Sequence, residues 1–102
     1  MRKLNATELA LEMGTLPNWT LDDQENAIRR DFVLADFIQA FAFMTQIALA
    51  AEKHDHHPEV RNVYNRVSIT WTTHDVKGLT VNDLTLARFC DRAFADYGSA
   101  ST

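Results

Sequence analysis

Residues 52 to 60 read EKHDHHPEV, which sets His54, His56 and His57, three of the chain's four histidines, beside Glu52, Asp55 and Glu59. Imidazoles and carboxylates at that density fit three descriptions: a metal site, a proton-transfer site, or a polar corner. A zinc site needs several imidazoles or thiolates converging at about 2 Å from one ion. His54 and His56 are two apart and would share a face on an extended strand, but His54 falls at the end of a helical pattern and Pro58 follows the pair. The single cysteine, Cys90, lies far along the chain on what reads as a core stripe. Proton transfer asks for less. A histidine exchanges protons near neutrality, and two or three imidazoles with one carboxylate to orient them suffice for adding or removing water. His74 and Asp83 are further candidates, the first ending a strand pattern on its polar face, the second in the first turn of a helix pattern. Each also has a structural reading: His54 as a charge at a helix C-terminus, Asp83 as a capping carboxylate, His74 as a strand-end surface residue. Spacing alone leaves these readings open.

The elements that must position these residues are legible on either side of the cluster. Residues 36 to about 54 repeat with a period near 3.6, placing Phe37, Phe41, Met44, Ala48 and Ala51 on one helical stripe. Ile38, Phe43, Ile47 and Leu49 fall elsewhere on the same helix, so its apolar surface needs cover from a second subunit or from the first helix. Pro58 disfavours the helical region for His57, so the helix ends before it and the HHP tripeptide runs extended. Val67, Ile69, Trp71 and Thr73 then alternate with Ser68, Thr70, Thr72 and His74, the pattern of a half-buried strand, with residues 60–65 as its partner through a turn near Asn65.

Thr80 is placed as an N-cap with Asp83 at N3, Leu79 and Leu84 form a hydrophobic staple, and Gly78 supplies the turn before them. Leu86, Ala87, Cys90, Ala93, Phe94 and Tyr97 continue as a core stripe until Gly98. At the other end, Asn5 with Glu8 reads as a capping box and Leu4 with Leu9 as a staple, giving a helix Ala6–Met13 that stops at Gly14. Residues 19–21 and 27–33 flank Asp22-Asp23 as a hairpin. The order α-β-β-α-β-β-α predicts an α+β fold, a four-stranded antiparallel sheet with three helices packed on one face.

Composition narrows the class. A chain of 102 residues with 46% hydrophobic and 24% charged side chains fits one domain, residues 1–102, with an ordinary core. The net charge of −4, with no basic cluster beyond Arg29-Arg30, argues against a nucleic-acid partner. One cysteine, a charged first segment and an apolar region broken by Asp36, Gln39 and Gln46 predict a cytoplasmic protein without a membrane span.

Residues 52–87 closely resemble the pterin-4a-carbinolamine dehydratase family. The resemblance rests on E-K-x-x-H-H-P, then Tyr64, Val67, the pair Thr73-His74, and G-L-T-x-x-D-x-x-L-A over residues 78–87, and extends more weakly upstream through Phe37, Phe41, Phe43 and Met44 to Trp19. It implies a dehydratase that converts 4a-hydroxytetrahydropterin (4a-hydroxytetrahydrobiopterin) to quinonoid dihydropterin and water, recycling the cofactor of aromatic amino acid hydroxylases. No metal or organic cofactor is implied. Residues matching His56, His57 and His74 surround the pterin, the aspartate matching Asp83 supports them, and Glu52, Pro58, Thr73, Asp75 and Val76 join the binding surface. On this resemblance His56 and His74 are expected as acid/base partners and His57 as a positioning group. A homodimer joined through sheet edges, or a tetramer joined through helices, is also implied. Animal members bind a transcription factor, so an interaction module is the alternative function. Two departures stand out: histidine is not expected at His54, and an aliphatic residue is expected in place of Trp71.

Overall fold

Alternation along the strands decides which way the sheet faces. The computed structural model describes residues 2–24 and 26–98. Its elements are α1 (Ala6–Met13), β1 (Thr20–Leu21), β2 (Ile28–Val33), α2 (Phe37–Lys53), β3 (Glu59–Val63), β4 (Arg66–Trp71) and α3 (Val81–Gly98). The strands form one four-stranded antiparallel sheet, as the sequence predicts, and their order in it is β1-β2-β4-β3. Register pairs Ile28 with Trp71 and Phe32 with Val67. These residues and Ile69 are buried at 0 to 1% exposure, and they face the helices. The other face of the sheet carries Arg29, Asp31, Arg66 and Ser68, the expected polar side of a sheet covered on one face only.

The predicted capping box at Asn5 and the predicted cap at Thr80 both form. The Asn5 side chain accepts from the Glu8 N–H at 2.9 Å and the Asn5 N–H donates to the Glu8 carboxylate at 2.9 Å, while Leu4 and Leu9 are buried as the staple. A hydrogen bond from Arg2, joined by the Asn5 N–H, holds the Glu8 carboxyl down to about 2. At α3, the Thr80 N–H donates to Asp83 Oδ2 at 2.9 Å and Thr80 Oγ1 accepts from the Asn82 N–H at 3.3 Å.

The expected stripe on α2 is displaced. Ala40, Phe43, Ile47 and Ala51 are buried, whereas Phe37 and Phe41 are 47% and 58% exposed and Ile38 and Leu49 remain on the surface. A helix apolar on several sides does not choose its own phase. Here α3 and β4 choose it, and small Ala40 and Ala51 at either end let the helix sit close while Phe43 and Ile47 fill the space between. The alternative cover, burial beneath α1, does not occur for Ile38, Phe41 or Leu49. Phe43 instead joins Phe32, Phe94 and Tyr97 in tilted and edge-on contacts, and Tyr97 Oη donates to Gln46 at 2.8 Å to tie α3 to α2.

Lys77 closes the turn before α3 with φ 53°, a left-handed conformation that costs a residue with a Cβ. Lys77→Gly is expected to raise stability by about 0.5–1 kcal/mol, read as a higher denaturant midpoint at unchanged slope. An unchanged or lower midpoint would show that the lysine's own contacts outweigh the strain.

Candidate active site

Two helix ends build the site. At the first, α2 stops at Lys53, and His54 follows as its C-cap. The Asp55 N–H then bonds the Glu52 carbonyl at 3.1 Å and the His56 N–H the Ala51 carbonyl at 3.0 Å. With Asp55 at φ 49°, this is a Schellman closure with aspartate where glycine is usual. The closure fixes where His56 leaves the helix, and His57 and Pro58 run on, without helical structure, into β3.

At the second end, the buried start of α3 presents Asp83, with 0% of its side chain exposed. Its Oδ1 lies 2.6 Å from His56 Nε2. Its Oδ2 accepts from Thr73 Oγ1 at 2.6 Å and from the Thr80 N–H at 2.9 Å. Thr73 and Thr80 hydroxyls are 3.0 Å apart, closing the ring of hydrogen bonds. A carboxylate facing a ring nitrogen needs a donor there, so Nε2 of His56 carries the hydrogen and Nδ1 is left without it. The His56 side chain is only 11% exposed.

The remaining candidates differ in setting. His57 Nε2 lies 2.8 Å from Glu52 Oε1, but both side chains are largely exposed and stand apart from the Asp83 network. His74 is not at a strand end: β4 stops at Trp71, and His74 opens a 3-10 turn, His74–Val76. The strand pattern outruns the strand because Thr72 Oγ1 turns to the Asn26 carbonyl and Thr73 pairs with Gly78 across the turn. His74 is exposed and immediately follows Thr73, and its ring makes no hydrogen bond among the described residues. Asp75 and Val76 share its turn. His54 is spent on α2, its Nδ1 donating to the Ala50 carbonyl at 2.9 Å. Among the described residues, no group of three or more His, Cys, Asp or Glu side chains is placed to hold a metal ion.

Two contributors were not singled out for the site by sequence. Thr80 was read only as a cap, yet it is fully buried and holds both Thr73 and Asp83. Trp71 was read as core, and its ring also lies parallel to His56, with centroids 5.8 Å apart at 12°. Its Nε1 is buried beside the Cys90 thiol, a weak acceptor, with no nitrogen or oxygen partner among the described residues. The nearby Cys90 thiol is pushed up to about 12, by burial first, with the indole acting in the opposite direction. The signal for Thr80 was its cap position, and the signal for Trp71 was its departure from the aliphatic residue expected there.

Comparison with known proteins bears on the family and the fold. The family model described as pterin 4 alpha carbinolamine dehydratase matches residues 2–93. A Rhizorhabdus wittichii protein named "Putative pterin-4-alpha-carbinolamine dehydratase" is 54% identical over 84 residues, covering 82% of this chain and 87% of the relative. A Burkholderia cenocepacia protein of the same name is 48% identical over 95 residues, 93% of each chain. The crystal structure of a transcriptional coactivator/pterin dehydratase from Brucella melitensis superposes with a TM-score of 0.87 at 42% identity, covering 90% of this chain and 98% of that one.

Proposed function

The chain belongs to the pterin 4 alpha carbinolamine dehydratase family, and from that premise we propose that it removes water from a 4a-hydroxytetrahydropterin by histidine acid/base catalysis. The observation that carries the mechanism is the buried Asp83 carboxylate 2.6 Å from His56, which fixes one ring nitrogen and frees the other. In the reaction, nitrogen lone-pair density expels the C4a hydroxyl, the C4a–O bond breaks, and the ring nitrogen loses its proton. One group must protonate the departing oxygen and another must accept the nitrogen proton, leaving water and quinonoid dihydropterin with charge balanced. His56 and His74 are the proposed pair. His57, braced by Glu52, positions the substrate, and Pro58, Thr73, Asp75 and Val76 complete the surface against the ring.

His74→Ala is expected to lower kcat about tenfold or more, while His57→Ala raises KM with a smaller loss of kcat. Stopped-flow absorbance with the carbinolamine formed in place measures both. A wild-type kcat in the His74 variant would remove His74 from the chemistry. The proposal extends to a cytoplasmic, single-domain enzyme that serves an aromatic amino acid hydroxylase and works as a homodimer or homotetramer. Supporting an oligomer, Phe37, Ile38, Phe41 and Leu49 leave α2 apolar on its outer surface. Among the described residues, no helix is long and apolar enough to cross a membrane.

A further inference from the structure

We infer that Trp71 is a positioning residue for this reaction, holding the His56 ring in its working orientation by stacking. This rests on the dehydratase reading of the site.

A hydrogen bond at one ring nitrogen does not by itself fix an imidazole. With Nε2 anchored on Asp83, the ring can still swing about that bond, and Nδ1 with it. The indole of Trp71 lies parallel to the ring, 12° between planes, and blocks the swing from one face. The two restraints come from different elements, Asp83 from α3 and Trp71 from β4, so together they fix both position and tilt. Trp71 is itself fully buried and anchored between neighbours on β4, so it forms a rigid wall.

Its chemistry points the same way. Ile69, two positions earlier on the same face of β4, fills the core with no polar atom to satisfy. At Trp71 the core instead contains an indole N–H whose neighbour is the Cys90 thiol, a weak acceptor. A flat aromatic surface against His56 is what the indole provides and an aliphatic chain does not.

The test uses the full chain with 5-fluorotryptophan at both Trp19 and Trp71, the two ¹⁹F signals being assigned from a Trp19→Phe variant. The titratable groups around the stack are Asp83, bonded to His56, and Cys90, whose thiol is pushed up to about 12 and stays neutral through the working range. The Trp71 signal is expected to shift with pH as His56 changes charge, and that shift to vanish in His56→Gln. Trp71→Leu is expected to lose about tenfold in kcat with KM within about twofold, and Trp71→Phe, which keeps a ring face, to retain most of kcat. A Trp71 signal that ignores His56, or Trp71→Leu with the wild-type kcat, would overturn the inference. If the leucine variant does not fold, the fluorine titration and Trp71→Phe still decide. The fluorine result needs no turnover, so failure of the stack and failure of the dehydratase reading give different outcomes.

Discussion

Asp83→Asn is expected to yield a folded protein that has lost about 100-fold in kcat. The carboxylate meets three donors: His56 Nε2, Thr73 Oγ1 and the Thr80 N–H. An amide has only one acceptor oxygen, so its NH2 must face one of the positions that now donate. The backbone N–H of Thr80 cannot change its role. A hydroxyl and an imidazole can, and turning the NH2 toward His56 makes Nε2 the acceptor and moves the ring hydrogen to Nδ1. The nitrogen facing the substrate then has the wrong proton state for the same step. Nitrogen-15 spectra of the histidine rings report the tautomer directly. Retained Nε2–H together with wild-type turnover would defeat this account. Replacing charge-assisted bonds with neutral ones costs about 1 kcal/mol, measurable by denaturant unfolding.

His56→Ala carries the second large effect, a loss of about 100-fold or more in kcat, with part of the rate restored by imidazole added to the assay. The ring is only 11% exposed, so its removal opens a recess beside Oδ1 of Asp83 of a size and polarity suited to imidazole. Rescue would separate lost chemistry from lost folding, since a misfolded variant has no recess to fill. Combined with His74→Ala, the losses should fall well short of multiplying if the two rings serve one proton-transfer unit. Fully multiplicative losses, or wild-type turnover in His56→Ala, would refute that pairing.

How much of this was legible in the sequence depends on whether the signal was local. The caps at Asn5 and Thr80 were readable because each involves residues three positions apart, and they placed α1 and the start of α3 correctly. The end of α2 before Pro58 followed from the same kind of local constraint. The phase of α2 did not, since several of its faces are apolar and only contact with α3 and β4 selects Phe43 over Phe41. His74 was misplaced because residue alternation continues past Trp71, while the strand ends where Thr72 and Thr73 find partners outside the ladder. The residues of the candidate site were recognisable through their family resemblance, but the bond between His56 and Asp83 spans 27 positions and has no local signature. The stacking of Trp71 on His56 was equally invisible, because a strand pattern says which face a side chain takes and nothing about which ring it meets.

The Schellman closure at Asp55 changes how this protein could tolerate insertions and deletions. HDHHP resembles a connecting loop, and loops ordinarily absorb changes in length. Here the His56 N–H is bonded back to Ala51, so His56 moves with α2 as part of one body. One residue added inside α2 would turn that end by about 100° and advance it by about 1.5 Å, carrying the imidazole away from Asp83. The helix therefore acts as a ruler for the site. Change at this end of the molecule is confined to substitution at fixed length, while the exposed turns elsewhere carry no such gauge.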